Sequence, residues 1–305
     1  MGPTRLVDDP ADPRVEGYRA LNDARYRSRI ERCEGLLVAE GELAVRRLLA
    51  SAHVARSVFV STARAGALAG VIDAAGGAGA AVYVARPDVM AAVAGYDVHR
   101  GVLALGDRLP GPEPADLIGS PGIVLGIEGV NDGENMGALL RHAAAFGASG
   151  VLLDPTCCDP FSRRAIRVSV GHALNVRVAQ AMTWPAPVEA AVAAGVEVVA
   201  LTPGGPAGGP VGGVAAGAAA VPIAVLAASV ALRRPRRLVV LVGAEGSGLS
   251  AAALRAATVT ARIPMAAGVD SINVSAAAAI ALHRLAEALG GADGIHPWQP
   301  GTAPS

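Results

Sequence analysis

Apolar positions along the chain follow two rhythms. Short, mainly apolar runs at 36–39, 57–61, 81–85, 123–127, 151–154, 176–179, 196–202 and 238–242 stop at glycine or polar residues. They are too short for buried helices, so they predict strands. Between them, alanine-rich stretches with helical spacing at 42–50, 63–75, 138–146, 162–174 and 187–194 predict helices, and Gly147 and Gly150 stop one of these. His99-Arg100-Gly101-Val102-Leu103-Ala104 adds one more strand. Strand and helix alternate, which gives an α/β fold; from residue 123 onward it reads as a mostly parallel sheet with helices on both faces. The Pro- and Gly-rich stretch 107–122 predicts a linker between a small α/β domain at 18–106 and a larger domain at 123–290. Residues 1–17, with Pro3, Pro10 and Pro13, and the tail 291–305 read as flexible.

The chemistry concentrates between residues 238 and 280. A strand runs into a loop holding Gly243, Glu245, Gly246 and Gly248, then a short helix and a second strand closed by Ile263-Pro264. Asp270, Ser271, Asn273 and Ser275 then gather where the last helix begins. Two loops at the ends of neighbouring strands form a pocket in an open α/β sheet. The glycines are not a P-loop, because no Lys-Ser/Thr follows them. They are not a dinucleotide fingerprint either, because the loop comes late and lacks the acid about 20 residues on. Glu245 would repel a pyrophosphate, so the loop suits a neutral or cationic ligand.

Composition changes this picture in a few places. With 17% charged and 52% hydrophobic residues, 305 residues make a two-domain globular protein. The formal net charge is zero and every basic residue is arginine, so contact with nucleic acid would rest on local arginine patches. Arg19, Arg25, Arg27, Arg29 and Arg32 form one such patch, read either as a solvated helix face or as an arm touching phosphates. Cys33, Cys157 and Cys158 have neither disulfide nor zinc spacing, so no metal is expected. That fits a reducing compartment, and with no signal-peptide core the expected location is the cytoplasm. Residues 202–232 carry no charge and are followed by Arg233, Arg234, Arg236 and Arg237. Their Gly/Pro-rich first half, Pro222 and the lack of an aromatic belt favour an insertion at 204–231 with a short helix over a membrane span.

Taken together, several motifs resemble a known family. They are Asn135-x-Gly137-x-x-x-Arg141, Arg167-x-Ser169-x-Gly171, Gly243-Ala244-Glu245-Gly246-Ser247-Gly248-Leu249-Ser250, Ile263-Pro264-Met265 and Ser271-x-Asn273-Val274-Ser275. Each alone is weak, but in this order, at the ends of expected strands, they resemble the SpoU (TrmH-type) RNA ribose 2′-O-methyltransferases of the SPOUT superfamily over roughly 122–289. Residues 24–106 are similar to the small ribosomal-protein-like substrate-binding domain that many members carry in front. The insertion at 204–231 is longer than usual.

The resemblance implies a deep trefoil knot, a homodimer, S-adenosylmethionine as cofactor, and RNA rather than DNA as partner, with rRNA ahead of tRNA. It assigns cofactor contacts to Thr202, Gly243, Glu245, Gly246, Ile263, Ile272 and Asn273. The catalytic set is Arg141, Asn135, Glu245, Ser271 and Asn273, and RNA contacts fall to Arg27, Arg29, Arg141, Arg167 and Ser169. The family role of Arg141 is to activate the 2′-hydroxyl; a guanidinium with a pKa above about 12 is better suited to orienting it and binding the adjacent phosphate. Asn135, Ser271 and Asn273 also suit plain helix capping. His142, His172, Cys157 and Cys158 read as structural. A catalytically silent RNA-binding factor on the same fold is the main alternative. A nucleotide-dependent oxidoreductase is disfavoured by the misplaced glycine loop.

Overall fold

The computed structural model describes residues 4–23, 31, 34–203 and 220–290. They divide into two compact units, one built from residues 4–110 and Pro160–Asn175, the other from Gly111–Asp159 and residues 176–290.

The first unit contains, in chain order, β1 (Thr4–Val7), β2 (Leu36–Glu40), α1 (Glu42–Leu49), β3 (Val54–Ser61), α2 (Ala69–Gly77), β4 (Ala81–Ala85), α3 (Pro87–Ala94) and β5 (Val102–Asp107). Its sheet has the order β1-β4-β3-β5-β2. β1, β4 and β3 run parallel, and β5 lies antiparallel to both β3 and β2. α1 shows how the sequence sets its packing: Ala44, Val45 and Leu48 face inward, while Glu42 and Arg46 pair across one turn at 3.0 Å on the outside.

Residues 4–17 are ordered, where the sequence read 1–17 as flexible. β1 pairs with β4 from Thr4↔Val82 to Val7↔Ala85, and a 3-10 turn at Pro13–Tyr18 follows. Val7, Val15 and Tyr18 are fully buried, and the Tyr18 hydroxyl donates to the Ser57 carbonyl at 2.9 Å. None of the prolines falls inside β1, and Pro13 opens the 3-10 turn, where its missing N–H costs nothing.

Residues 160–175 also correct the sequence reading, which made 162–174 one helix of the second domain. The helix spans Arg163–Val168 only; Val170 and Gly171 then take φ of +55° and +85°, and a 3-10 turn covers His172–Asn175. Phe161 lies edge-on to His53 with ring centroids 5.3 Å apart and under the Arg108 guanidinium at 4.6 Å. Arg163 stacks over Tyr96 at 4.4 Å and reaches Glu40 at 2.6 Å in a largely buried ion pair. A side chain on Gly171 would meet the Ala44 backbone at 2.8 Å. These contacts hold the segment in the first unit.

The second unit contains α4 (Pro114–Gly119), β6 (Gly122–Glu128), α5 (Gly133–Ala145), β7 (Gly150–Leu153), β8 (Val178–Gln180), α6 (Ala186–Ala193), β9 (Glu197–Leu201), β10 (Val221–Pro222), α7 (Ile223–Arg233), β11 (Arg237–Gly243), α8 (Ala251–Ala256), β12 (Val259–Arg262) and α9 (Val274–Gly290). All pairs in its sheet, ordered β10-β12-β9-β11-β6-β7-β8, are parallel. Alternate strand residues (Val124, Leu152, Val198, Val239 and Leu241) pack with Leu117 of α4, Val188 of α6 and Ala253 of α8. On the second helical layer, α9 packs against α5, α7 and β11. Both faces are therefore covered, which explains why β6 and β11 read as unbroken apolar runs. The stretch 107–122 is more than a linker, since α4 buries Leu117 and Ile118. Of the insertion, residues 204–219 lie outside the described residues, as does the tail 291–305; the remainder forms β10 and most of α7. Among the described residues, no helix is long and apolar enough to cross a membrane.

Candidate active site

β11 ends at Gly243, where the chain turns sharply. A Cβ on Gly243 would stand 2.1 Å from the carbonyl carbon of Gly248, so no side chain fits. The Gly248 amide donates to the Ala244 carbonyl at 2.9 Å, and Gly246 takes a φ of +87°. These glycines close the loop on itself, an internal requirement in addition to any close approach by a ligand.

Two buried acids anchor the surrounding loops, and sequence reasoning passed over both. Glu128 sits opposite Gly243 in the sheet and accepts from the Ser250 amide at 3.1 Å; the Ser250 hydroxyl in turn caps α8. Asp154 accepts from the amides of Gly129 and Thr156, each at 3.1 Å. A single acid at a strand end has no signature in a sequence.

The centre of the site is Asn273. Its side-chain oxygen accepts from the Ser275 amide at 2.9 Å and from the Ala276 amide at 3.3 Å, capping α9. Its amide nitrogen donates to Asn135 Oδ1 at 2.8 Å and to Glu245 Oε1 at 2.6 Å. Asn135 is itself placed by Asp132, the α5 N-cap, whose carboxylate accepts from the Glu134 and Asn135 amides. Three residues far apart in sequence thus share one hydrogen-bonded junction. The Asn135 amide NH2 is left without a partner among the described residues.

Beside this junction lies a cavity of about 670 Å³, a size typical of small-molecule sites. Its walls come from Leu201–Pro203, Val242–Gly248, Ile263, Met265, Asp270–Val274 and Ala277. All seven residues expected at the cofactor (Thr202, Gly243, Glu245, Gly246, Ile263, Ile272 and Asn273) line it, and so does Ser271.

Arg141 does not. It is exposed on α5, outside the cavity lining, with no ion-pair partner among the described residues. Six residues after Asn135, it emerges about 120° away around the helix. Arg167 is exposed on the helix Arg163–Val168 in the other unit. Ser169 is a correction to the RNA-contact set: it is fully buried, donating to the Ile166 carbonyl at 3.0 Å and accepting from the Ala173 amide at 3.2 Å. Arg27 and Arg29 lie outside the described residues.

Of the residues read as structural, Cys157 and His142 are half-buried. The Cys157 thiol points at the Ile127 carbonyl, and burial pushes its pKa up to about 12, far from a reactive thiolate. Burial holds His142 below the ordinary histidine range; its ring packs beside Phe146 and its Nδ1 is buried without a partner. Among the described residues, no His, Cys, Asp and Glu cluster could hold a metal.

Comparison with known proteins decides the family. The model of the SpoU rRNA Methylase family matches residues 122–283, the stretch that holds the cavity and the Asn273 junction. The chain belongs to that family. It is therefore an RNA methyltransferase of the SpoU type. This SpoU chain is 41% identical, over 277 residues, to an uncharacterized tRNA/rRNA methyltransferase of Mycobacterium tuberculosis, covering 91% of the chain and 90% of that protein. Among solved structures, the AdoMet-bound rRNA methyltransferase of Sinorhizobium meliloti superposes with a TM-score of 0.72 at 24% identity, covering 93% and 97% of the two chains. A structure described as an RNA 2′-O ribose methyltransferase superposes with a TM-score of 0.66 at 24% identity, covering 92% and 98%. At these identities the superpositions establish the SpoU chain's fold.

Proposed function

We propose that this chain transfers the methyl group of S-adenosylmethionine to a ribose 2′-hydroxyl in structured RNA, with ribosomal RNA ahead of transfer RNA. The observation that carries the reading is the Asn135–Asn273–Glu245 junction on the rim of a cavity built largely from loop backbone.

The cavity suits the cofactor on its own chemistry. Leu201, Val242, Ile263 and Ile272 offer apolar walls for an adenine, while Glu245 and Asp270 are its charged lining residues. Among the described residues no cationic side chain lines it, so a sulfonium is favoured and a pyrophosphate is not. When bound, S-adenosylmethionine supplies a methyl group on a positively charged sulfur, open to in-line displacement by the ribose oxygen, with S-adenosylhomocysteine as the leaving group and the hydroxyl proton released to solvent. The chain's part is to exclude water and align that oxygen. Asn273 fixes Asn135 so that its free NH2 can donate to the incoming ribose. Arg141, a poor base, binds the neighbouring phosphate and orients the hydroxyl.

The turn of α5 that separates Arg141 from Asn135 supports a homodimer, in which the second copy brings its own Arg141 to the cavity. The trefoil knot belongs to the same reading, with the cavity loops and α9 as the segments it ties, and so does a cytoplasmic location. The test is transfer of labelled methyl from S-adenosylmethionine to rRNA and, separately, tRNA lacking native modifications. The expected result is label in rRNA that protects a single linkage from alkaline cleavage. Label in tRNA alone would reassign the substrate. Label in neither, with S-adenosylhomocysteine still bound, would refute methyl transfer in favour of a silent binding factor.

A further inference from the structure

Six arginines of the first unit are neutralised locally. Arg14 pairs with Asp12, Arg19 with Glu16, Arg46 with Glu42, Arg56 with Asp107, Arg86 with Asp88 and Arg163 with Glu40. Arg64 and Arg100, like Arg5 and Arg167, are exposed and have no hydrogen-bond or ion-pair partner among the described residues. Of these, Arg64 and Arg100 also stand together. The Arg100 side chain crosses Gly41, where a Cβ would lie 2.7 Å from its Cδ. Arg64 crosses Gly101, where a Cβ would lie 2.5 Å from its Cγ. The Gly41 amide bonds the Val102 carbonyl at 3.0 Å, and the Ser61 amide bonds the Gly101 carbonyl at 2.9 Å, so both glycines sit at one end of the β2-β5-β3 ladder.

The nearby acids are already committed. Glu40 is held by Arg163 at 2.6 Å and receives the Tyr96 hydroxyl at 3.3 Å. Glu42 is taken by Arg46 at 3.0 Å. Two arginine stems are therefore laid over glycine backbone at the same end of the ladder, and among the described residues neither guanidinium has an ion-pair partner. Each presents a planar fork of donors suited to phosphate.

We propose that Arg64 and Arg100 form a two-phosphate clamp for the backbone of the substrate RNA, at the strand ends of the first unit and outside the cofactor cavity. The inference rests on the reading of the chain as an RNA methyltransferase. It adds a binding site that base identity does not control, because phosphate contacts set register rather than sequence. The clamp orders the RNA in steps of one phosphate per arginine.

The test is the salt dependence of binding between the full chain and unmodified in-vitro-transcribed rRNA. Arg64→Gln and Arg100→Gln should each reduce the slope of log Kobs against log[salt] by about 0.7 to 0.9, and the double variant should bind about thirtyfold more weakly at 0.1 M salt. The charge-preserving Arg64→Lys/Arg100→Lys pair should keep the wild-type slope. Affinity for S-adenosylhomocysteine should be unchanged in all of them. A wild-type slope in the double glutamine variant overturns the clamp and leaves the methyltransferase reading intact. A lysine pair that loses the slope as the glutamine pair does also overturns it, since charge would not be the cause. If the wild-type chain neither binds nor methylates RNA, the proposed function itself fails.

Discussion

Asn273 carries two duties that one pair of substitutions can separate. Its oxygen caps α9, and its nitrogen ties Asn135 to Glu245. Asn273→Ala removes both; losing the cap costs about 1 kcal/mol, which in a chain of this size lowers Tm by about 2–4 °C. Asn273→Asp keeps the cap, because aspartate serves that position as well as asparagine does. It removes both donors, however, and sets a carboxylate where the amide lay 2.6 Å from Glu245. In the high dielectric of this exposed rim the repulsion amounts to about 1–2 kcal/mol, enough to push Glu245 away and release Asn135. The aspartate variant should therefore melt no lower than the alanine variant, yet lose methyl transfer by on the order of 100-fold, as removal of a positioning donor typically does. Differential scanning fluorimetry and labelled-methyl transfer on the two variants read the two duties independently. Wild-type transfer by Asn273→Asp would refute the junction as catalytic machinery and reduce Asn273 to a helix cap.

Three further outcomes follow from the same geometry. Gly243→Ala forces a methyl against the Gly248 backbone at 2.1 Å, so the loop must open; stability should fall by about 1–3 kcal/mol, and calorimetry should find S-adenosylhomocysteine binding lost. Arg141→Ala, outside the cavity, should abolish transfer while calorimetry finds cofactor affinity unchanged; full activity would remove it from the mechanism. His53 is held below the ordinary histidine range, first by burial and then by Arg108, and its Nδ1 accepts from the Leu109 amide at 3.1 Å. The unfolded chain therefore takes up this proton more readily, so the group's stabilisation is present above about pH 6.5 and is lost as pH falls through its folded pKa. Melting temperature should drop between pH 7 and 5.5, and His53→Gln should flatten part of that drop.

The cavity was legible because glycine loops and clustered polar residues sit at the ends of apolar strands, and local chemistry announces both. α5 was placed five residues late, since Gly133 and Gly137 hide helix propensity while the Asp132 cap supplies the start. Ser169 was placed among the RNA contacts by the family resemblance alone; it sits between Val168 and Val170, and its burial depends on how 160–175 folds back. That return, like the edge strand β1, rests on partners more than 70 residues away: Arg163 on Glu40, and Thr4 on Val82. No local pattern encodes such a distance.

The split course of the first unit sets a timetable for its birth. Residues up to Pro110 leave the ribosome first, and Pro160–Asn175 follows only after about fifty residues that belong to the second unit. At roughly 5–20 residues per second, that interval lasts roughly 2–10 s. Throughout it, the nascent sheet waits with Glu40 lacking its arginine, Tyr96 uncovered and His53 and Arg108 without Phe161 between them. The amino-terminal unit closes only once β6, α5 and β7 have been made, so the order of synthesis places the opening strands of the methylase sheet ahead of the piece that completes its neighbour.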